Sequence, residues 1–383
     1  MRAQVIVMCL GLVLVALFQG PATARQPAAA DDAGQVVDLP TDDAEMLTSE
    51  PVPDECMNEL RRACGCCPEW NNYFVFDVLF LQRDNATNGQ AIAVGNDNAP
   101  NPGEPILTTR SMQFATAPGV RLLWGQRGGD GVGWEVGYLG VYGMFADANV
   151  TAPDEIAVPG DLGQAVHGWA TADVERPTYA SSLNIVEANM FLYECCETCD
   201  PCATLQCQRT RRCRCTDWIG GFFWAGLNEQ ANLNVTCCPG EPSSAYSVTT
   251  ASNMFGAQVG LRRRADWCRW AFERTYKVGL AGTSLYQSAG PITSPLGGDT
   301  IYRDAQSDAI GGVGLLSQIN LTAVYRINRQ WGLRAGYNFI WLAGVALAPD
   351  QWDFTDTADS GSQLINGGGL FLHGANLGLE RRW

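Results

Sequence analysis

The sequence predicts an all-β protein: a closed, antiparallel, up-and-down transmembrane β-barrel of about 10–12 strands, with long external loops and a disulfide-rich periplasmic rim. Three observations predict this fold. Apolar and polar residues alternate with period two in successive runs after Trp70, the connections between runs alternate in length, and the last run is amphipathic and ends on Trp383. The 42 Gly, 12 Trp, 11 Tyr and 14 Phe among 383 residues agree with a strand-rich chain.

Residues 1–24 have the pattern of a cleaved secretory signal peptide. An apolar run follows Arg2 and ends before the small residues Ala22-Thr23-Ala24, and it is shorter than the ~20 residues of a membrane-spanning helix. We expect residues 25–69 to be a disordered acidic linker and cysteine-containing N-terminal segment. Residues 70–383 are then the barrel domain, and export places it in the cell outer membrane.

Period-two alternation defines the strands of the barrel domain. Between positions 331 and 341, Leu333 and Tyr337 share one parity, whereas Arg334 and Asn338 share the other. Such a strand has one apolar face for lipid and one polar face for the lumen. The same split is seen in runs 74–80, 134–138, 186–192, 270–280 and 315–325. The run 218–227 fits less well because both of its parities are apolar.

The connections predict which rim faces outward. Short connections are typical of the periplasmic side of outer-membrane barrels, and long ones of the external side. The acidic residues are concentrated in the long connections and the arginines near the short ones, so the two rims differ in charge. The predicted long external loops are residues 84–109, 147–180, 231–247, 283–311 and 347–368.

The last run, Leu370 to Trp383, predicts a barrel assembly signal. Leu377, Leu379 and Trp383 share one parity of this run. A terminal aromatic residue on an amphipathic strand resembles the signal read by the barrel assembly machinery, so Trp383 is the predicted contact. Outer-membrane lipid is the other expected partner, and a homo-oligomer remains open.

The cysteines predict disulfides rather than a cofactor site. Export exposes them to oxidising conditions, and their pairing stays open. The spacing of Cys196, Cys199 and Cys202 also fits a metal or iron–sulfur site, but export disfavours it, and we expect no cofactor and no metal. The predicted disulfide cysteines are Cys64, Cys66, Cys67, Cys195, Cys196, Cys199, Cys202, Cys207, Cys213, Cys215, Cys237, Cys238 and Cys268.

Polar residues on the inward parity are the candidate functional residues. They would line a path for small solutes and set its ion preference, or they would pair across the lumen and fill it. A barrel of ten strands has a narrow interior, because a barrel of eight strands leaves room only for side chains. The predicted lumen-lining residues are Asp77, Arg121, Glu135, Glu187, Glu273, Lys277, Gln318, Asn320 and Arg334.

The strands also resemble a known family. The run Trp70 to Leu81, the segment Asn253 to Leu261, the strand Leu321 to Tyr325 and the segment Gly336-Tyr337-Asn338-Phe339 resemble the beta-barrel porin family of planctomycete outer-membrane proteins. The resemblance covers about residues 70–383. It implies an outer-membrane barrel with a porin role and supplies no functional residues of its own.

Composition excludes several function classes. A net charge of -15 disfavours a nucleic-acid partner, because phosphate contacts require clustered bases. Only two histidines, His167 and His373, are available and no Ser/His/Asp grouping is visible, so we expect no enzyme and no catalytic residues. The leading hypothesis is a porin for small polar solutes or ions. The alternatives are a non-conducting structural or surface-interaction barrel stabilised by disulfides, and a soluble secreted β-sandwich.

Overall fold

The computed structural model describes residues 71–128, 131–194, 213–237, 243–267, 269–293, 301–357 and 359–383. The signal peptide and linker predicted for residues 1–69 lie outside these ranges. Within them, no helix has both the length and the apolar character needed to cross a membrane.

Strands dominate the described chain. They are β1 (Asn72–Arg83), β2 (Ala91–Gly95), β3 (Pro105–Thr108), β4 (Ala117–Arg127), β5 (Val132–Asp147), β6 (Val150–Ala157), β7 (Ala172–Glu194), β8 (Cys213–Thr236), β9 (Ser244–Trp267), β10 (Trp270–Ala289), β11 (Ile292–Thr293), β12 (Ile301–Arg303), β13 (Gln306–Arg326), β14 (Trp331–Val345) and β15 (Gly368–Arg382). One short α-helix, α1 (Gly160–Ala165), and 3-10 turns at Thr109–Ser111 and Ala348–Gln351 complete the described elements. The all-β prediction is confirmed.

Ten strands of the described chain form a ring of antiparallel hydrogen-bonded pairs, in the order β1, β4, β5, β7, β8, β9, β10, β13, β14 and β15. The register shows how the ring is staggered. A path traced from each residue to its paired residue on the next strand starts at Trp331 on β14 and returns to β14 at Ala343, twelve residues beyond the start. The residues along this path are Arg381, Phe74, Trp124, Val136, Ala188, Phe222, Ala257, Leu280 and Leu315. Such a stagger requires strands tilted by about 40° to the ring axis.

The two parities of each strand separate as the alternation predicts. On β14, Arg334 and Asn338 are buried inside the ring, whereas Leu333 and Tyr337 are exposed outside it. The exposed outer face carries large apolar side chains, of which Phe222 is 73% exposed. We call this outward apolar face the outer belt; it includes Phe74, Phe76, Phe80, Trp124, Val136, Met190, Leu192, Trp218, Phe222, Phe255, Val259, Trp270, Phe272, Leu280, Leu333, Tyr337, Leu377 and Leu379.

Aromatic residues line one edge of the outer belt. Trp124 and Trp134 pack edge to face with ring centroids 5.1 Å apart, and Trp270 lies 5.1 Å from Tyr325. The Arg381 guanidinium lies 5.6 Å from the Trp331 ring centroid and 5.4 Å from that of Trp383. This edge, the turn rim, carries the short connections 327–330 and 268–269.

Several predicted long loops are wrong because the strands are longer than the alternation indicated. β8 and β9 extend through most of 231–247, β10 and β13 extend into 283–311, and β7 begins within 147–180. On β8 and β9 beyond the outer belt, the outward residues are polar or small, such as Thr249 and Asn253, so apolar alternation fades although pairing continues.

The remaining long connections lie at the opposite edge, the loop rim, and fold into the ring. Ile92 and Phe114 from the β1–β4 connection, Trp169 from the β5–β7 connection and Leu347 from the β14–β15 connection share one buried apolar cluster. The cluster also contains inward strand residues, among them Leu227 on β8. Segment 218–227 is therefore apolar on both parities because one side meets this cluster and the other belongs to the outer belt.

A bulge on β14 turns the chain into the ring. The pairing with β15 shifts between Ala343 and Val345, and Gly344 has φ +80°. A Cβ added to Gly344 would lie 2.3 Å from the Val313 carbonyl oxygen. Glycine is therefore required here by both backbone conformation and space.

Replacement of Gly344 tests this bulge. Gly344→Val is expected to lower the free energy of unfolding by more than about 1–2 kcal/mol, because the strain of a left-handed backbone and the clash with Val313 add together. Urea unfolding in detergent micelles measures it. The control is Gly282→Val, since a Cβ at Gly282 meets no atom within 4 Å. Equal unfolding midpoints for the two variants would contradict the role of the bulge.

Candidate functional site

The nine predicted lumen-lining residues come together inside the ring, in the half nearer the turn rim. Eight of them line a central cavity of about 60 Å³: Arg121, Glu135, Glu187, Glu273, Lys277, Gln318, Asn320 and Arg334. The ninth, Asp77, is 0% exposed and accepts a hydrogen bond from Arg121 Nε at 2.9 Å.

Arg334 on β14 connects three carboxylates across the ring. Its guanidinium lies 2.9 Å from Glu380 Oε2, 3.3 Å from Asp77 Oδ1 and 3.8 Å from Glu273 Oε1. These acids come from β15, β1 and β10, so one side chain joins strands on different sides of the ring. A single arginine therefore compensates much of the buried negative charge.

A second charged group surrounds Glu135. Arg262 Nη2 lies 2.5 Å from Glu135 Oε2, and Tyr73 Oη donates a hydrogen bond to the same oxygen at 2.7 Å. Arg262 Nη1 is also 3.7 Å from Asp217 Oδ2, which lies 2.7 Å from Arg127 Nη2. The chain of opposite charges crosses from β4 to β9.

Lys277, the single lysine of the chain, pairs with Glu187. Gln318 Nε2 donates a hydrogen bond to the same carboxylate. Asn338 accepts hydrogen bonds from Arg121 at 3.0 Å and Asn320 at 2.7 Å, and donates one to Asn376 Oδ1 at 2.9 Å. We call these paired charges and amides the polar layer.

Sequence reasoning missed several members of the polar layer. Arg262 is not among the nine predicted residues, but β9 continues to Trp267 and the Arg262 side chain faces inward. Arg262 shares the parity of Met254 and Gln258, which are both buried, and this shared parity would have indicated that Arg262 faces inward. Further members that were not among the nine predicted residues are Tyr73, Arg127, Asn189, Asp217, Gln258, Arg264, Asn338, Asn376, Glu380 and Arg382.

The predicted disulfides remain predictions. Cys215 is buried on the inward parity of β8, and Cys237, one residue beyond the end of β8, is also buried. The side chains of the other eleven predicted cysteines lie outside the described residues. Trp383 is exposed at the turn rim, and its role in assembly stays a prediction.

The family model "Putative beta barrel porin-7 (BBP7)" matches residues 184–383. This match covers more than half of the chain. The chain belongs to the BBP7 family.

Comparisons with individual proteins add distant similarities to this BBP7 member. The outer membrane protease OmpT from Escherichia coli is 10% identical, with 82% of this chain and 97% of that chain covered at a TM-score of 0.46. A FadL homologue from Pseudomonas aeruginosa is 7% identical, with 81% and 90% covered at a TM-score of 0.24. No curated protein matches the sequence.

In this BBP7 chain the half of the ring nearer the loop rim is closed by the β14–β15 connection. The Ala346 amide donates to Ser252 Oγ at 3.1 Å, and the Ala346 carbonyl accepts from Thr250 Oγ1 at 3.0 Å. The Ala348 amide donates to Glu229 Oε2 at 3.0 Å. We call segment 345–354, together with the apolar cluster around it, the loop plug.

A buried ion pair anchors the loop plug. Arg83 Nη1 lies 2.6 Å from Glu229 Oε1, and both side chains are fully buried. The Arg83 guanidinium also lies 4.6 Å from the Phe114 ring centroid and 4.7 Å from that of Tyr179. Aromatic faces and one carboxylate together compensate this charge in apolar surroundings.

Glu175 is a buried acid with neither an ion pair nor a hydrogen bond in the described part of the chain. It is 0% exposed, and neither carboxylate oxygen has a hydrogen-bond partner among the described residues. Burial raises the pKa of Glu175 to about 8. Desolvation disfavours the charged carboxylate, so the protonated form is the stable one at neutral pH.

Removal of Arg334 tests the polar layer. Arg334→Gln leaves Asp77, Glu273 and Glu380 without their shared guanidinium, and it should lower the free energy of unfolding by roughly 3–5 kcal/mol. Urea unfolding in detergent measures the change. Arg329→Gln, an exposed arginine in the neighbouring turn, is the charge-matched control. Indistinguishable unfolding midpoints would show that the polar layer does not stabilise the ring.

Glu175 gives this BBP7 protein a pH-dependent stability. The folded protein holds a proton on Glu175 up to about pH 8, whereas an unfolded glutamate loses it near pH 4.3, roughly. Between these values the folded state binds more protons, so the free energy of unfolding falls as pH rises. Thermal unfolding at pH 5–9 measures it, and Glu175→Gln should flatten that slope. Glu104→Gln, at an exposed glutamate, should leave the slope unchanged. An unchanged slope in Glu175→Gln would contradict the raised pKa of Glu175.

Proposed function

We propose that this chain is an outer-membrane β-barrel protein whose interior is closed by its own side chains and loops, with a structural and surface-presenting role in the cell envelope. The turn rim faces the periplasm and the loop rim faces outward. Outer-membrane lipid contacts the outer belt, and the barrel assembly machinery inserts the chain through the terminal strand ending at Trp383.

The outer belt supports the membrane location. Eleven residues of tilted strand from Trp331 to Trp341 span a height of about 25 Å, which matches the apolar band of outer-membrane barrels. Tryptophans at the turn rim lie where headgroups meet hydrocarbon. An exposed apolar face of this extent is incompatible with water as its only solvent. Membership of the BBP7 family agrees with this location.

The filled interior is the observation that carries the closed role. The polar layer occupies one half of the ring and the loop plug the other, and the cavity between charged side chains is about 60 Å³. Opposite charges pair across the ring and do not line a wet channel. The same pairing engages most of the inward carboxylates with arginines or lysine.

Planar-bilayer recording tests the closed role. The purified full chain should give no current steps at any applied voltage, because the polar layer and the loop plug occupy the two halves of the ring. Insertion is verified by flotation with liposomes and by heat-modifiable migration, since folded barrels often resist detergent until boiled. Regular current steps from inserted wild-type protein would overturn the proposal.

A loop variant sharpens this recording. Gln351 bonds the carbonyls of both Leu347 and Ile365, so the two ends of the segment between them lie close together. Replacing residues 349–363 with a four-residue Gly/Ser linker is therefore feasible. This variant should admit ions more readily than the wild type, because residues 349–354 of the loop plug are removed.

A passive porin is the second candidate function, and the family match favours it. In that case small polar solutes would pass the charged cavity after displacement of the loop plug. Current steps from the wild-type protein in the same recordings distinguish the porin from the closed barrel.

A further inference from the structure

Two arginines face outward side by side on neighbouring strands. Arg263 on β9 and Arg274 on β10 are directly paired in the antiparallel register, and both are exposed. Side chains that are opposite each other in this way have Cβ atoms about 5 Å apart, and two like charges at that distance destabilise a sheet. The pair therefore needs a compensating negative charge.

The protein itself supplies no such charge in its described part. Within the described residues neither Arg263 nor Arg274 has an ion-pair or hydrogen-bond partner. Among the described side chains, their outward neighbours on β8, β9, β10 and β13 contain no acid; these neighbours are Thr216, Trp218, Leu261, Ala265, Phe272, Tyr276, Ile319, Leu321 and Ala323. The adjacent acids Asp217, Asp266 and Glu273 have the opposite parity and face the polar layer.

The inward arginines show the contrast. Arg262 and Arg264, on either side of Arg263 along β9, both have carboxylate partners inside the ring. Arg381, another outward arginine at the turn rim, lies over the rings of Trp331 and Trp383. Arg263 and Arg274 thus differ from both groups, because their charges are unmatched within the described chain.

The pair lies in the part of the outer belt nearer the turn rim, four residues from Trp267 and Trp270 at the ends of β9 and β10. Long arginine side chains at such positions extend toward the headgroup level. Trp218 is a diagonal neighbour of Arg263 across β8, and Phe272 and Tyr276 flank Arg274 on its own strand. Trp218 and Phe272 are 50% and 46% exposed. Aromatic residues at this edge mark the level of lipid headgroups, where phosphate groups are found.

We propose that Arg263 and Arg274 form a binding site for the phosphate of an anionic phospholipid in the periplasmic leaflet. Two guanidinium groups provide several N–H donors to phosphate oxygens, and a bidentate geometry suits this anion. The acyl chains would then lie along the outer belt above Tyr276 and Leu280. This site rests on the proposed membrane location of the barrel.

Lipid titration followed by native mass spectrometry tests the site. The detergent-solubilised full chain is titrated with dioleoyl phosphatidylglycerol and, separately, with dioleoyl phosphatidylcholine. The wild type should bind the first phosphatidylglycerol more tightly than phosphatidylcholine. Arg263→Gln/Arg274→Gln should weaken phosphatidylglycerol binding about five-fold or more while leaving phosphatidylcholine binding unchanged.

A charge-matched double variant is the control. Arg176→Gln/Arg329→Gln removes two exposed arginines elsewhere and should keep the wild-type preference. Equal loss in both double variants, or no preference in the wild type, would overturn the site. Flotation with neutral phosphatidylcholine liposomes separates the two proposals. A wild type that floats without a phosphatidylglycerol preference refutes only the lipid site, whereas one that does not float refutes the membrane location.

Discussion

Closure of the strand ring by backbone hydrogen bonds is the constraint on which the rest of this structure depends. Each ring strand has two neighbours, so its amides and carbonyls are paired on both edges. A hydrocarbon environment offers no alternative partner for these groups, and only such closure allows strands to lie in it. The twelve-residue stagger fixes the tilt of the strands. The tilt and the number of strands set how much space the interior has to fill.

The two halves of that interior are filled by different chemistry. Toward the turn rim, arginines and carboxylates from many strands pair across the ring, as Arg334 does with Glu380 and Asp77. Toward the loop rim, three connections fold inward and bury apolar side chains such as Trp169 and Leu347 against the strands. A charge left alone in either half is costly. Glu175 avoids that cost by holding its proton.

The outer wall follows a simpler rule than the interior. Its large apolar residues need only the correct parity, because they point out of the ring and need not fit into a packed interior. Parity alone therefore identified Leu333, Tyr337 and most of the belt. It failed beyond the belt, where β8 and β9 continue as paired strands with polar outer faces. There, backbone pairing persists without the apolar pattern that reveals it.

The sequence by itself determined the strand class and the inward and outward parities, because these depend on periodicity along one strand. Only the tertiary structure decided that Arg262 joins Glu135 and that the β14–β15 connection fills the ring. Both facts depend on the register between strands that are distant in sequence. Alternation within a strand carries no information about which residue of another strand it will meet, and that register decides which charges pair across the interior.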